Sequence, residues 1–387
     1  MNKPTPLGEI VRIKKGRKAA KVFERPTKGL LPYLQIDEVR GTVPTKVAED
    51  PKGVEVTPED LCIVWDGANA GTIGYGVSGL IGSTVARMRL ICPQEWETGF
   101  LGRLLEGKFR EINDHAQARG ATVPHVNKLM LEQILVPKLQ PEEQSRIVMI
   151  LDKADAIRRK REQILTLADD LLKSAFLEIF GDPLMNPKNW RVRPLKDYLL
   201  EIRYGTSIKC QNIGGEDYVP VLRIPNVVGG MVSWRELKYA RLPWKELQRV
   251  RLKLGDILFV RTNGNPEYIG RCAVFESSRE AAFASYLIRA RLREDAKVTP
   301  LHVRTVVSFP SYRHRIIQEA KTTAGNYNIN TRGLRSLPII EPKKDLQVTY
   351  ARLVSETRKI VTSGQQGLRH TEDLLASLSQ RAFRGEL

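Results

Sequence analysis

Two long segments of the chain carry apolar residues at helical spacing, one near the middle and one at the end. Between residues 141 and 180 no glycine and no internal proline breaks the pattern, and Gly181 comes directly after it. Pro141 suits a first helical turn, and Glu142 and Glu143 would face the positive end of the helix dipole. The pattern therefore predicts a continuous helix, which at 1.5 Å per residue would be about 60 Å long.

The apolar residues of this helix recur at alternating spacings of three and four, which is typical of a coiled-coil seam, and Arg161 interrupts that seam once. A second helix is predicted from about Lys344 to Phe383, and "GQQG" at 364–367 weakens it, since a mid-helix glycine costs about 1 kcal/mol relative to alanine. A bend or bulge is compatible with that sequence. The predicted seams are Ile147, Ile150, Ala154, Ile157, Ile164, Ala168, Leu171 and Ala175 in the first helix, and Tyr350, Leu353, Ile360, Leu374 and Leu378 in the second, with Val354, Val361, Leu368 and Leu375 beside it.

An apolar stripe along a long helix must be buried, and two arrangements would bury it. Each helix could pack on its own globular part, or the two stripes could face each other. The stripes match in length and register, which favours the second arrangement. We therefore predict an antiparallel coiled-coil pair with a globular part at each end, related by a pseudo-twofold.

The remaining segments predict two globular domains of mixed α+β class. Short alternating apolar runs such as "LCIVW", "ARMRLIC", "DILFV" and "LIRARLR" indicate strands, and helical stretches lie among them. The chain also aligns with itself: "PYLQIDEVRG" falls on "PVLRIPNVVG" at an offset of 188, and the offset grows to 203 by Gln144 and Gln347. A stepwise offset indicates a duplicated unit with loop insertions.

The charge of the chain favours a polyanion as partner. Among 387 residues, Lys and Arg number 62 against 44 Asp and Glu, so the net charge is +18. Each cation placed on a phosphate releases a condensed counterion, which makes nucleic acid the simplest partner, and we expect that partner to be double-stranded DNA. No apolar run approaches the ~20 residues that span a bilayer, so we expect no membrane association.

The sequence predicts neither a metal site nor catalysis in this chain. Cys62, Cys92, Cys210 and Cys272 stand apart without ligand spacing, a usage that favours the reducing cytoplasm. No phosphate-binding loop is present, and "NPEY" at 265–268 has Glu where a base-flipping methyltransferase would have a second proline. No cofactor is therefore expected here.

Polar and basic loops are the candidate DNA contacts, because base edges are read by Arg, Lys, Asn and similar side chains. The loop "KKGRKAAK" is the densest in cations, and its glycine suits close approach to phosphate. "RYGTSIK" is its counterpart, and "WDGANAG" with "RTNGN" and "QARGATVPHVN" with "KTTAGNYNIN" form two further matched pairs. The predicted DNA-binding residues are Lys14, Lys15, Arg17, Lys18, Lys21, Asn69, Arg119, Arg203, Lys209, Arg261, Asn263, Asn265, Lys321, Asn326 and Asn328.

The two helices and their endings resemble the specificity subunits of type I restriction–modification systems. The resemblance rests on "PEEQSRIVMILDKADAIRRKREQ…DDLLKSAFLEIFGDP" and "LLASLSQRAFRGEL", each helix preceded by a strand exit, "ILVPKL" or "LPIIEP". It implies two target-recognition domains, at 1–139 and 183–342, and two spacer helices, at 140–182 and 343–387. It also implies two docked modification (methyltransferase) subunits, to which restriction/translocase subunits can add. S-adenosylmethionine, ATP and Mg²⁺ would then be bound by those partner subunits.

Two other functions remain open from the residues alone. One is an autonomous DNA methyltransferase or nuclease, and the other is a coiled-coil adaptor whose charge serves protein partners. Methyl incorporation by the pure chain would indicate the first. Failure to enrich any bipartite motif from random DNA would indicate the second.

Overall fold

The computed structural model describes residues 3–25, 27–117, 123–323, 325–383 and 386. The chain divides into two compact units, a first unit of Met1–Leu165 with Thr362–Leu387 and a second unit of Thr166–Val361. Each is a mixture of helices and strands, as the α+β prediction requires. None of the helices in the described ranges is both long and apolar enough to cross a membrane.

The first unit contains eleven strands and five short helices within its described residues, followed by most of the long helix α6. The strands are β1 (Thr5–Pro6), β2 (Val11–Lys15), β3 (Lys21–Phe23), β4 (Leu31–Leu34), β5 (Val47–Glu49), β6 (Val54–Val56), β7 (Leu61–Val64), β8 (Ile73–Tyr75), β9 (Gly79–Ile81), β10 (Val85–Leu90) and β11 (Leu135–Val136). The helices are α1 (Leu7–Ile10), α2 (Ile36–Val39), α3 (Thr98–Gly107), α4 (Phe109–Gln117), α5 (Lys128–Glu132) and α6 (Pro141–Phe180).

The second unit repeats this mixture of short elements. Its strands are β12 (Arg191–Pro194), β13 (Leu199–Tyr204), β14 (Tyr218–Leu222), β15 (Val227–Val228), β16 (Met231–Val232), β17 (Lys238–Arg241), β18 (Ile257–Val260), β19 (Thr262–Asn263), β20 (Cys272–Val274), β21 (Ala282–Phe283), β22 (Leu287–Leu292), β23 (Lys321–Thr323), β24 (Asn326–Asn328) and β25 (Pro338–Glu341). The helices that follow β17 are α7 (Trp244–Val250), α8 (Pro300–Ser308), α9 (Arg313–Glu319), α10 (Thr331–Ser336) and α11 (Lys344–Ala382).

The two units share a strand order. The first has a four-stranded antiparallel sheet β2-β10-β7-β8, a parallel pair β4–β9 within a second sheet, and an antiparallel pair β1–β11. The second has the sheet β13-β22-β18-β20, the parallel pair β14–β21 and the antiparallel pair β12–β25. The runs predicted as strands lie at β7, β10, β18 and β22, in the middle of the four-stranded sheets. Their side chains alternate into buried cores, which explains the apolar patterning.

A buried glutamine ties the start of each long helix to its unit. Gln144 Nε2 donates to the Glu95 and Leu139 carbonyls at 2.8 and 3.0 Å, and its Oε1 accepts from the Glu97 backbone N–H at 2.9 Å. Gln347 makes the same three bonds in the second unit, at 2.8 to 2.9 Å. Its partners are the Lys297 and Pro342 carbonyls and the Thr299 backbone N–H.

A buried carboxylate paired with arginine also recurs in both central sheets. Asp60, just before β7, receives two bonds from Arg89 at 2.6 and 2.7 Å and one from the Thr57 backbone N–H. Burial acts to raise the pKa of Asp60, but the bonds from Arg89 and Thr57 outweigh it and hold the pKa below its usual range. In the second unit Asp256 receives the corresponding bonds from Arg291 and from the Lys253 backbone N–H.

The two long helices contact one another antiparallel inside each unit. In the first unit the Arg161 guanidinium donates to the Gly367 carbonyl and to Thr371 Oγ1, and a side chain at Gly364 would press on Leu165. Gly367 itself has no room for a Cβ, which would lie 2.9 Å from the Arg161 guanidinium. The glycines therefore admit Arg161 and Leu165. Helix α11 continues through both glycines without interruption.

In the second unit the same helices meet through aromatic side chains. The Tyr350 ring lies 5.6 Å from the rings of both Phe176 and Phe180, and its hydroxyl donates to the Leu172 carbonyl at 3.3 Å. These side chains also belong to the core of the second unit, as Ile147 and Ala382 belong to that of the first. Inside each unit the helices thus pack both on each other and on the globular part.

The predicted seam register is wrong at five of its thirteen positions. Ile157, Ile164 and Leu171 on α6, and Ile360 and Leu374 on α11, are each about half exposed. On α6 the line through Ile147, Ala154 and Ala168 does face inward, but its companion line lies one residue later than predicted. Leu151 is buried, and Leu165 and Leu172 make the contacts with α11. On α11 the buried positions are Tyr350, Val354, Thr357, Thr371 and Ala382.

Candidate nucleic-acid interface

The basic loop of the first unit connects β2, the edge strand of one sheet, to β3, the edge strand of another. Lys14 and Lys15 end β2, where Lys14 pairs across the sheet with Arg87, and Lys21 begins β3. Gly16 between them is required by the protein itself. A Cβ at this position would lie 2.3 Å from the Gly82 carbonyl oxygen, so the glycine permits two backbone segments to approach. The glycine is therefore required for this close packing.

Three of the five cations in this loop are held by carboxylates. Lys15 lies 2.7 Å from Asp66, Arg17 lies 3.3 Å from Asp50, and Lys21 lies 3.3 Å from Glu49. Lys14 and Lys18 are exposed and form no ion pair with any residue in the described ranges. These two lysines are the cations of the loop that an incoming phosphate would meet without competition.

The remaining predicted residues of the first unit are not gathered at this loop. Asn69 lines a broad polar cleft of about 1180 Å³ together with Arg103 of α3 and Asp152 of α6, and it lies beside the long helix. Arg103 bonds Asp152 at 2.6 Å, so this cleft is already internally paired. Arg119 lies outside the described residues.

In the second unit, six predicted residues come together on one small sheet. Strands β19, β24 and β23 pair in that order, so that Asn263 lies opposite Tyr327 and Lys321 lies opposite Asn328. Arg261 precedes β19, Asn265 follows it and Asn326 begins β24. The segments around Asn263 and Asn328, which belong to two different loop pairs in the sequence, therefore form one continuous polar surface in this unit.

Two asparagines of this surface hold the loop itself. Asn263 Oδ1 accepts the Asn265 backbone N–H at 2.9 Å, and Asn265 Oδ1 accepts the Glu267 backbone N–H at the same distance. Their oxygens are occupied by turn formation, which leaves the amide N–H groups as donors. The "NPEY" segment is thus a short capped 3-10 turn, with the Tyr268 ring stacked on Arg271 at 3.8 Å.

Arg261 is positioned by aromatic and backbone groups. Its guanidinium lies 4.7 Å from the centre of the Tyr204 ring and donates to the Ser285 carbonyl at 3.2 Å. Arg203, by contrast, pairs with Glu201, which also receives the buried Arg289. Arg203 is therefore neutralised locally, whereas Arg261 faces no carboxylate in the described part of the chain.

Lys209 lies in a separate groove of the second unit. The groove has a volume of about 440 Å³ and is lined in part by Arg223, Lys238 and Tyr286. None of these three was predicted from the sequence, because each lies far from Lys209 along the chain. The exposed tyrosine beside the apolar run "FASYLIRA" is the one local signal that could have indicated the site.

Two of the four cysteines are buried, and the described residues gather no set of metal ligands. Within the described ranges no three His, Cys, Asp or Glu side chains gather as a metal site. Cys62 and Cys272 are buried, and burial raises the pKa of the Cys62 thiol to about 12 and that of the Cys272 thiol to about 11. Neither thiol can act as a nucleophile near neutral pH.

Comparison with known proteins gives consistent relatives. Residues 2–166 match the family model described as "Type I restriction modification DNA specificity domain". The EcoKI specificity subunit of Escherichia coli K12 is 25% identical over 86% of this chain and 76% of its own length. The MjaVIII specificity subunit of Methanocaldococcus jannaschii is 27% identical over 65% of this chain and 61% of its own length.

The fold is shared with solved structures. The S subunit of a type I restriction–modification system from M. genitalium has a TM-score of 0.62 at 12% identity, over 98% of this chain and 95% of that one. A structure described as a type I R-M system in assembly and conformational transition gives 0.56 at 16% identity, over 99% and 98%. The chain is thus similar to specificity subunits of type I restriction–modification systems, in sequence to the family model over residues 2–166 and to the relatives above, and in fold to the solved structures.

Proposed function

We propose that this chain is the DNA-reading subunit of a type I restriction–modification complex and that each unit contacts one half of a bipartite site. The observation that carries this proposal is that the two units share buried structural contacts but differ in the polar side chains at corresponding positions. Both units have a buried Asp–Arg pair at the central sheet and a buried glutamine that ties the start of the long helix to the unit. At the position where the first unit has Trp65 and Asp66, the second has Arg261 and Thr262. Two alike scaffolds with unlike polar groups are suited to two different half-sites.

The proposed domains follow from this duplication. Residues 1–139 and 183–342 are two target-recognition domains related by a pseudo-twofold, and residues 140–182 and 343–387 are spacer helices. Support comes from α6 (Pro141–Phe180) and α11 (Lys344–Ala382), which are single helices within these ranges and run antiparallel where they touch. A helix of this length spans about 60 Å, against about 34–36 Å for one turn of B-DNA. A rigid pair of that length sets the gap between half-sites.

The outer face of α6 is the proposed docking surface for the modification subunits. Ile157, Ile164 and Leu171 recur every seven residues and are each about half exposed, as are Ile360 and Leu374 on α11. Lines of exposed apolar residues on a long helix are typical of a protein interface. Two modification subunits bind there, and restriction/translocase subunits add to them. Methyl transfer and cleavage, with S-adenosylmethionine, ATP and Mg²⁺, take place in those partner chains.

The test of this function is selection from random DNA with the chain reconstituted with its modification subunits. We expect a motif of two fixed halves separated by a gap of constant length. Replacing residues 190–340 by the recognition domain of another specificity subunit should change one half only. An unchanged motif, or changes in both halves, would contradict the proposal that each unit reads one half of the site.

The alternatives of an autonomous DNA enzyme and a coiled-coil adaptor have no support among the relatives. They are tested in the same preparation. Incorporation of labelled methyl groups by the chain alone would establish the first alternative, and absence of any enriched DNA motif would establish the second.

A further inference from the structure

The second unit contains a cationic groove of which the sequence indicated only the loop that carries Lys209. Its walls come from four separated parts of the chain, which are the segment after β13, the residue after β14, the first residue of β17 and the residues after β21. Thr206, Lys209, Arg223, Lys238, Ser285 and Tyr286 line it, around a volume of about 440 Å³.

The groove is positive without a balancing acid. Three cations line it, and no acidic side chain does so among the described residues. Lys209 and Lys238 form no ion pair with any residue in those ranges. Arg223 donates through Nη2 to the Glu236 carbonyl at 3.0 Å, while its Nε is buried and has no partner there. This differs from the basic loop of the first unit, where carboxylates occupy three of five cations.

The walls are held in place before any ligand arrives. Arg249 of α7 donates to the Tyr204 carbonyl at 3.0 Å and pairs with Glu246 at 2.6 Å. The Thr206 hydroxyl oxygen accepts the Ile208 backbone N–H at 3.2 Å, and the Ser285 backbone N–H donates to the Thr206 carbonyl at 2.8 Å. A fixed groove loses little conformational freedom on binding, which favours recognition.

We propose that this groove binds the phosphodiester backbone of one DNA strand at the half-site read by the second unit. Three uncompensated cations with hydroxyls beside them match phosphate oxygens, whereas the edge of a neutral base would leave that charge unused. The inference rests on the proposed function and adds a location to it.

The groove also explains how Arg261 would be placed. The Arg261 backbone N–H donates to the Tyr286 carbonyl at 2.9 Å, and its guanidinium reaches the Ser285 carbonyl. A strand anchored in the groove therefore passes beside Arg261. Phosphate contacts of this kind fix the orientation of the protein while neighbouring groups contact bases.

Cys210 in the groove wall provides a direct probe, with Cys92 in the first unit as its exposed reference. The full chain is alkylated with iodoacetamide, with and without a duplex carrying the selected motif, and the rate at each cysteine is measured by peptide mass spectrometry. Burial raises the pKa of the Cys210 thiol, so the reaction is run at alkaline pH. We expect bound DNA to slow alkylation of Cys210 several-fold and to leave Cys92 unchanged.

A second measurement uses charge. Lys209→Ala and Lys238→Ala should each reduce the slope of log K against log salt by about 0.9 per phosphate contact removed, which is roughly a 3.5-fold change between 50 and 200 mM salt. The selected motif should not change. Lys196→Ala removes an exposed cation that does not line the groove, and it should leave the slope as it is.

The outcomes separate this inference from the proposed function. If the chain selects a bipartite motif but Cys210 is not protected and both lysine variants keep the full slope, the groove is not a DNA contact and the inference is wrong. Equal slowing at Cys210 and Cys92 would also contradict it. If the chain selects no motif at all, the proposed function itself fails.

Discussion

His302 should make the stability of the second unit depend on pH. The imidazole is buried between α8 and the Phe176 and Phe180 rings, whose centres lie 6.2 and 5.0 Å from its own. Its Nε2–H donates to the Ile340 carbonyl at 3.0 Å, and its Nδ1 has no partner among the described residues. Desolvation disfavours the charged ring and lowers the pKa to about 4, although the bond to Ile340 opposes that change.

The magnitude follows from proton linkage. The unfolded state has the ordinary histidine pKa of about 6.5, so it binds a proton below that pH while the folded state does not until about pH 4. Stability is therefore fully present above about pH 6.5 and is lost as the pH falls towards 4. Between about pH 7.5 and pH 5 the loss attributable to this one group is about 2 kcal/mol.

The assay compares the chain with His302→Gln, which keeps an N–H for the Ile340 carbonyl but does not titrate. Free energies of unfolding from urea titrations are measured at both pH values, with His370→Gln on the exposed face of α11 as the matched control. We expect the chain and His370→Gln to lose about 2 kcal/mol more than His302→Gln on acidification. Equal losses in all three proteins would refute the assignment of a buried neutral ring.

Two further predictions concern charges in the frame and the loop. Asp256→Asn should destabilise the protein by about 3 kcal/mol, because it leaves the largely buried Arg291 unpaired. Asp60→Asn should cost only about 1 kcal/mol, because its partner Arg89 is half exposed to water. Urea midpoints measure both losses of stability, and equal losses would contradict this dependence on burial. Joint replacement of Lys14 and Lys18 by Ala should reduce the salt slope of DNA binding by about 1.8 with no change of motif; an unchanged slope in that titration would exclude both lysines from phosphate contact.

The long helices were predictable in extent but not in register. The absence of internal breakers and the caps defined α6 from the sequence, and α11 ends within one residue of the prediction. The register prediction was wrong on α6 because the line through Ile157 and Ile164 is more apolar than the line one residue later, which is the one that packs. That packed line runs through Leu151, Arg158 and Leu165. Periodicity selects the most apolar face, whereas packing selected the face that fits the partner helix.

The charged residue that interrupts the seam of α6 and the glycine that weakens α11 contact each other. Arg161 interrupts one seam and Gly367 weakens the other, and each alone is unfavourable in a coiled coil. The structure places the guanidinium against the carbonyl that the glycine leaves accessible. Sequence periodicity cannot show such a pair, because it is defined only once the two helices are aligned.

The candidate site was partly predictable. Matched loop pairs located the polar surface around Asn263 and Asn328, since strand alternation places loop ends at the same edge of a sheet. Only Lys209 of the cationic groove was predicted, because the lining residues are separated by up to about 80 positions and meet only through the β14–β17 and β14–β21 pairings. Pairing of loop cations with Asp66 and Asp50 was likewise invisible before folding.

The most direct test of the central claim is to shorten both long helices together. Removing residues 157–170 and 359–372 deletes two heptads from each helix and keeps the inward faces aligned, because the seam repeats every seven residues. The pair becomes about 21 Å shorter, which equals about six base pairs of B-DNA. Selection from random DNA should then return the same two half-sites with a gap about six base pairs shorter. The same half-sites with the original gap would contradict a rigid helical spacer.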